Sequence, residues 1–577
     1  MIRSLLLPLL LAALGCAQPA PPIDARLLEL RAAGERLVAT DRGVVVAATT
    51  AASEIGARVL AGGGNAVDAA IATGFALAVT YPTAGNIGGG GFMVIRFPDG
   101  SATAIDFREK APLAAHAEMF VDSSGEYSSE LHHNSHLAVG VPGTVAGFAE
   151  AHARHGRLQW PVLVEPSVRL ARAGFALPEG VAASLENVLP RLARYPASLA
   201  AYSKRGQPYR AGERFRQPDL ARTLDRIRRQ GRDGFYQGET ARLIAAEMRR
   251  GGGLITVDDL ARYEPRIREP VRGTFRGVEV ISMPPPSSGG VALIEMLNVL
   301  EGFDLEAMGH NSASYIHHLA EAMRRAYRDR AEFLADPDFV DVPVERLTSK
   351  AYAARLRATI DPTAASISVP SDIAPDHESL ETTHYSVVDE DGMAVAVTYT
   401  LEAGYGSKIV VPGAGFLLNN EMGDFNARPG LTTERGLIGT RPNLARPEQR
   451  MLSSMTPTIL ARDGRLLAVV GSPGGRTIIN TVLQITLNLV EFGMPLDQAI
   501  SAARLHHQWL PDRLTIEQGG SDDAGVAALR GLGHEVRVGG RQGRVHAIAL
   551  DPPTGQRVGM ADPRDPDAAA ATPAGTR

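Results

Sequence analysis

Two runs of strand-forming residues, Thr383 to Val388 and Met393 to Leu401, flank Glu390-Asp391-Gly392. A three-residue loop ending in glycine is a hairpin connection, with the glycine in the left-handed conformation. Asp389 then faces Met393, and the register of the whole pair follows. Val388 faces Ala394, Ser386 faces Ala396, His384 faces Thr398 and Thr382 faces Thr400. The other face pairs Val387 with Val395, Tyr385 with Val397 and Thr383 with Tyr399. One face is therefore apolar and the other carries hydroxyls, with opposed threonines in hydrogen-bonding reach. Threonine is also a good strand former, so the pairing alone leaves a purely structural reading open.

What precedes the hairpin changes the balance. Asp361 to Leu380 is polar, carries Pro362, Pro370 and Pro375, and lacks periodicity, which marks a mobile connector. Thr382 stands where that connector meets the first strand. A threonine there becomes an N-terminal nucleophile if the peptide before it is cut: its hydroxyl attacks, and its freed α-amine serves as the base. An α-amine titrates near ~7.7–8.0, so part of it is neutral at physiological pH without a histidine.

The 577 residues allow up to four domains or one large α/β unit. A 44% hydrophobic and 21% charged composition excludes wholesale disorder, and a net charge of −5 argues against a general nucleic-acid binder. Ser53 to Val79 reads as a helix in two parts, broken by Gly62-Gly63-Gly64, with Asn65 capping the second. Phe92 to Phe97 and Thr103 to Phe107 read as strands around a Pro98-Asp99-Gly100 turn. Arg157 to Arg250 is mostly amphipathic helix, Met283 to Gly290 a rigid loop before another helix, and Asn311 to Leu334 a helix capped by Ser312 or Ser314. Further strands fall at Thr458 to Leu460 and Leu466 to Val470, and a helix at Thr481 to Phe492. Ala568 to Arg577 is low in complexity and reads as a disordered tail.

The first residues read as an export signal. Arg3 precedes an apolar run from Leu5 to Leu14, too short to span a bilayer, and Gly15-Cys16-Ala17 follows. Cys16 is the single cysteine, which excludes an intrachain disulfide and a cysteine-cluster zinc site. Its place resembles the lipobox of bacterial lipoproteins, where the cysteine is lipidated and becomes the mature N-terminus. The alternative is an ordinary signal cut after Ala17. Either way the expectation is export to the periplasm, with lipid anchorage through Cys16 on the first reading. No other run reaches the ~18 apolar residues of a membrane helix.

Several patterns carry less. Gly88 to Gly91 lacks the residues and spacing of a phosphate or dinucleotide loop. His132, His133 and His136, like the pairs His317-His318 and His506-His507, read as surface histidines rather than metal ligands. No Gly-x-Ser-x-Gly elbow is present.

Thr382 to Asp389 resembles the processing-site motif of the gamma-glutamyltranspeptidase family. The resemblance extends through Gly62 to Ala70, Tyr81 to Met93, Asp106 to Glu109, Val141 to Phe148, Met283 to Gly290, Asn419 to Phe425, Leu452 to Pro457, Ser472 to Gly475 and His506 to Leu510, in family order from about residue 38 to 564. It implies the α+β, four-layer αββα sandwich of N-terminal-nucleophile hydrolases. It also implies self-cleavage between Glu381 and Thr382, leaving a heterodimer of fragments 17–381 and 382–577. Thr382 is then both processing and catalytic nucleophile, and Thr400 matches the second threonine that hydrogen-bonds it. Arg108, Ser453 and Ser454 match the positions that bind the substrate α-carboxylate. Glu402, Glu421 and Asp424 match those that hold its ammonium, with Glu402 where many members have asparagine. Gly474 and Gly475 match the oxyanion-hole glycines.

Ala427 to Arg450 fills the place of a lid, with Arg435 where some bacterial members have a gating tyrosine. Glu381 is often glutamine in the family, a difference expected to matter little because its backbone carbonyl is the group attacked. The implied activity is hydrolysis and transpeptidation of glutathione and other γ-glutamyl amides, the acyl group passing to water, amino acids or dipeptides. No metal, nucleotide or organic cofactor is implied. Two rivals remain: a glutaryl-type β-lactam side-chain acylase, which has no need of the three acids, and an inert exported binding lipoprotein, which has no need of the threonine pair.

Overall fold

The computed structural model describes residues 34–369, 381–430 and 440–573. The signal segment with Cys16, residues 370–380 of the connector and Arg435 of the lid lie outside them. The hairpin forms with the register read from the sequence: Thr383 pairs with Tyr399, Ser386 with Ala396 and Val388 with Ala394. Gly392 takes φ +89° at the turn. Asp389 accepts from the Met393 and Ala66 amides, so the turn also steadies the start of helix Ala66–Thr80. Asn65 caps that helix in a reciprocal box with Asp68.

The hairpin is the middle of a seven-stranded antiparallel sheet. Its strand order is Ala569–Ala571, Val44–Ala47, Thr383–Val388, Ala394–Thr400, Gly90–Arg96, Ala102–Phe107 and Arg266–Arg268. A second such sheet runs Leu37–Thr40, Arg557–Ala561, His546–Leu550, Arg465–Val470, Thr458–Arg462, Val278–Ser282 and Val271–Phe275. Tyr385, Val387, Val395, Val397 and Tyr399 point from the first sheet into one core, shared with helices Ala66–Thr80, Trp160–Ala173 and Pro218–Gln230. Val44, Val46, Phe92, Val94 and Ala396 point the other way, into a core with the second sheet and helices Gly289–Leu300, Ala313–Phe333 and Thr477–Val490. These are the four layers of the expected αββα sandwich, and they make a single unit rather than several domains.

The hydroxyl face of the hairpin lies between the two sheets, where its polar groups need protein partners. His384 bonds Thr398 Oγ1 at 2.8 Å and Ser386 Oγ at 3.0 Å, and Ser386 donates to the His546 carbonyl at 2.8 Å.

Three expectations need correction. The tail is ordered through its strand: Ala569 pairs with Ala47 and Ala571 with Val45, and Ser53 donates to the Ala569 carbonyl at 2.7 Å. Gly34 packs so closely on this strand that an added Cβ would lie 2.6 Å from that of Ala569. The described part of the connector, residues 361–369, is tied down: the Ser366 amide donates to Glu321 and the Ser368 amide to Asp512. The histidines read as superficial are mostly interior. His132, His136, His317, His318, His506 and His507 are all buried, each bonded to a protein partner such as Met422 O for His132 and Glu247 for His136.

Removing residues 568–577 should cost about 2–4 kcal/mol, from lost ladder bonds and uncovered apolar surface. Thermal unfolding of the shortened chain should show a lower midpoint; an unchanged midpoint would make the final strand dispensable.

Candidate active site

Thr382 is the residue before strand Thr383–Val388 and is 4% exposed. Its hydroxyl lies 2.9 Å from the Glu381 carbonyl oxygen and 3.4 Å from Thr400 Oγ1. Thr400, at the end of the partner strand, reaches the same carbonyl oxygen at 3.1 Å and accepts from the Glu402 amide at 2.9 Å. Two hydroxyls thus converge on the carbonyl oxygen of the Glu381–Thr382 peptide. Asn86 secures the far end of this strand, donating to the Thr400 carbonyl at 2.8 Å and accepting from Thr144 and the Gly89 amide.

A small cavity opens at Thr382 and is lined by Thr400, Glu402, Asp424, Ser453, Ser454 and Gly475, among others. Behind Asp424 lies a buried ion cluster. Arg108 pairs with Glu421 and Asp424, and also donates to the Leu452 carbonyl at 3.0 Å and the Met451 carbonyl at 3.3 Å. Arg108 is completely buried, which is sustainable for a guanidinium only when anions and carbonyls surround it. Glu402 has φ +74° and accepts from Asn420. Buried Lys408 is pushed down to about 8 by desolvation, which the nearby Glu402 carboxylate opposes.

Ser453 and Ser454 sit on a loop held by the proline-rich segment. The Ser453 amide donates to the Pro286 carbonyl at 3.1 Å, and Ser288 bonds the Ser453 carbonyl through both its amide and its hydroxyl. Arg330 bridges Ser454 Oγ at 3.0 Å and Ser288 Oγ at 2.9 Å. Gly474 and Gly475, with φ +137° and +54°, form the turn before helix Thr477–Val490. A Cβ on Gly474 would meet Thr477 Oγ1 at 2.4 Å, so this turn requires glycine. Asn443 joins the base of the lid segment to the site by donating to the Asp424 carbonyl at 2.7 Å.

The ten residues predicted as catalytic or substrate-binding fall into one place with Glu381 beside them, while Cys16 lies outside the described residues. Arg330 escaped sequence reading, because it acts across more than one element and no local pattern marks it; Asn86 and Asn420 lie inside family motifs but were given no role.

His317, Glu321 and His534 bring three possible ligand atoms together. They fit protein partners better than a cation. His317 bonds His534 at 2.8 Å, while the Glu321 carboxylate accepts from Arg324, Arg325 and Ser366. Those groups hold Glu321 down at about 2 against the effect of its burial.

The family model described as Gamma-glutamyltranspeptidase matches residues 52–572. The chain belongs to the gamma-glutamyltranspeptidase family. Among relatives of the family member described here, the glutathione hydrolase proenzyme of Escherichia coli (strain K12) is 46% identical, covering 96% of this chain and 95% of that protein. Acylase ACY 1 proenzyme from Pseudomonas sp. (strain SE83) is 37% identical over 89% of this chain and 90% of its own. Among solved structures, cephalosporin acylase from Bacillus halodurans superposes with a TM-score of 0.83 at 27% identity, over 93% of this chain and 97% of that one.

Glu109 adds a titratable group to this transpeptidase-family site. It is fully buried with Arg108 Nη1 3.8 Å away, and burial raises its carboxyl from 4.5 to about 8 despite the arginine. At pH 7 it is therefore mostly protonated in the folded protein and ionised in the unfolded chain. The stability this proton linkage carries is fully present below about pH 4.5 and is lost as pH rises through about 8. Thermal midpoints of the wild type should fall from pH 7 to 9, and those of Glu109→Gln should fall less. Parallel profiles would assign the alkaline loss to other groups.

Proposed function

We propose that Thr382 is the nucleophile of a self-processing γ-glutamyl hydrolase and transpeptidase, first on its own chain and then on substrate. The observation that carries this is the convergence of the Thr382 and Thr400 hydroxyls on the Glu381 carbonyl oxygen, at 2.9 and 3.1 Å. In processing, Thr382 Oγ adds to the Glu381 carbonyl carbon and its proton passes to the Thr382 nitrogen. The C–N bond breaks to leave an ester, which water hydrolyses, freeing the Glu381 carboxylate and the Thr382 α-amine. Thr400 donates to the carbonyl oxygen as negative charge builds there. The large and small fragments remain associated as a heterodimer.

In the catalytic cycle the freed amine takes the Thr382 proton, and Oγ attacks the γ-carbonyl of glutathione or a related amide. The Gly474 and Gly475 amides take the oxyanion. The substrate α-carboxylate is recognised by Arg108, Ser453 and Ser454, and its ammonium by Glu402, Glu421 and Asp424. A zwitterion needs both signs within a few ångströms, which the Arg108 cluster supplies. The γ-glutamyl ester then passes to water, an amino acid or a dipeptide, and this chemistry needs no cofactor. The acylase reading has weaker support, because that relative is less similar and the three acids would have no ammonium to hold.

Thr382→Ala should leave an uncut chain that does not turn over γ-glutamyl anilide, while Thr382→Ser keeps part of both activities. Gel electrophoresis and product release check this, and turnover by uncut Thr382→Ala would overturn the mechanism.

Export and lipid anchoring at Cys16 belong to the same reading, supported by the lone cysteine after the apolar run. Among the described residues no helix is long and apolar enough to cross a membrane, so anchorage would rest on lipid chains. Cys16→Ala should move the enzyme from the membrane pellet to the soluble fraction with its specific activity intact. A soluble wild type with an unmodified N-terminus would refute the anchor.

A further inference from the structure

Arg544 holds the side chain of Glu381. Its Nη2 donates to Glu381 Oε2 at 2.8 Å and its Nη1 to the Tyr81 hydroxyl at 3.1 Å. Its main-chain amide donates at 2.9 Å to the hydroxyl of Ser472, two residues before the Gly474-Gly475 turn. Gly543, at φ +66°, brings the loop so close that an added Cβ would lie 2.5 Å from Ser472 Oγ and 2.7 Å from Thr481 Oγ1. The guanidinium is thereby fixed beside the catalytic threonine through contacts independent of Glu381, and its side chain stays 26% exposed. It takes no part in the ion cluster around Arg108.

The Glu381 carbonyl oxygen occupies both active hydroxyls. A substrate acyl group must reach the Thr382 hydroxyl that the Glu381 carbonyl now covers, so Glu381 must withdraw after the cut and draw its carboxylate off Arg544. Arginine keeps its charge at every working pH and favours a planar carboxylate. A γ-glutamyl peptide carries two carboxylates, and the one on the acyl half is assigned to Arg108. The other lies at the far end of the leaving amino acid or dipeptide. The Glu381 carboxylate hangs a few bonds from the attacked carbon on the acyl side of the precursor's bond, which puts Arg544 within reach of that carbon's substituents; Arg108 takes the acyl-half carboxylate, and Arg544 is left for the one on the leaving amine.

We propose that in the mature enzyme Arg544 binds the terminal carboxylate of the leaving group and of the acceptor, a site that Glu381 fills in the precursor. The proposal rests on the γ-glutamyl reading and extends it to the other side of the scissile bond.

The test compares glutathione with γ-glutamyl-p-nitroanilide, whose leaving group has no carboxylate, on mature wild type, Arg544→Gln and Arg544→Lys. Anilide turnover by the wild type checks the underlying reading, and its absence would sink that reading first. Given turnover, Arg544→Gln should lower the ratio of kcat/KM for glutathione over anilide by about ten- to hundredfold, the range for a lost charge-assisted contact. Arg544→Lys should recover part of it. An equal effect on both substrates, or none, would overturn the proposal alone. A second arm needs no variant: the wild type should use glycylglycine as acceptor about tenfold better than glycylglycinamide. Equal use of acid and amide would also overturn it, and this arm decides if the Arg544 variants do not mature.

Discussion

One carbonyl oxygen shared by two threonine hydroxyls organises this molecule. That convergence depends on a hairpin register, and the register is held because the hairpin is buried on both faces. A slip of one residue would exchange the Tyr385, Val387 and Val397 face with the His384, Ser386 and Thr398 face. It would place polar groups among helices that offer them no partners. Thr382 is thus positioned by the packing of residues several positions away from it.

The second constraint is electrostatic. Burying Arg108 beside Glu421 and Asp424 takes three charges out of water, and such clusters seldom stabilise a fold more than apolar residues would. Under the proposed function their value lies in recognition. A zwitterion presents a carboxylate and an ammonium on one carbon, and a rigid cluster of both signs can meet it with little reorganisation. Glu109 keeps that balance by remaining mostly protonated at neutral pH, since another full negative charge in the same interior would compete for the arginine.

Much of this was legible in the sequence because it is local. The hairpin register follows from a glycine and alternation, the Asn65 cap from a glycine run before an apolar stripe, and the strands around Pro98 to Gly100 from their turn. Eight of the ten catalytic and substrate-binding residues were legible through family motifs, each a short contiguous string; Thr400 came from the hairpin register as well as the family match, and Glu402 from the family match alone. What escaped depends on contacts between distant segments. Arg330 lies among ordinary helix charges until the fold brings Ser454 beside it. Arg544 carries no motif, and only its contact with Glu381 distinguishes it. The histidines looked superficial because their partners, Met422 for His132 and Glu247 for His136, come from far along the chain. The terminal alanines carry no alternation to announce a strand, which forms through its ladder with Val44–Ala47.

The order of strands in the first sheet alternates between the two sides of the cut. Ala569–Ala571 and the hairpin come from after Thr382, whereas Val44–Ala47 between them and Gly90–Arg96 beyond come from before it. The proposed cleavage of the Glu381–Thr382 bond would therefore yield two polypeptides braided through one hydrogen-bonded layer. Neither can depart without unzipping the other. The covalent link matters while the braid is being made, since a single chain keeps its two halves at high mutual concentration; once made, the braid no longer needs it. On that proposal, maturation removes the tether that guided assembly, and the finished enzyme would persist by entanglement of its ladders rather than by the ease with which separated halves could find each other again.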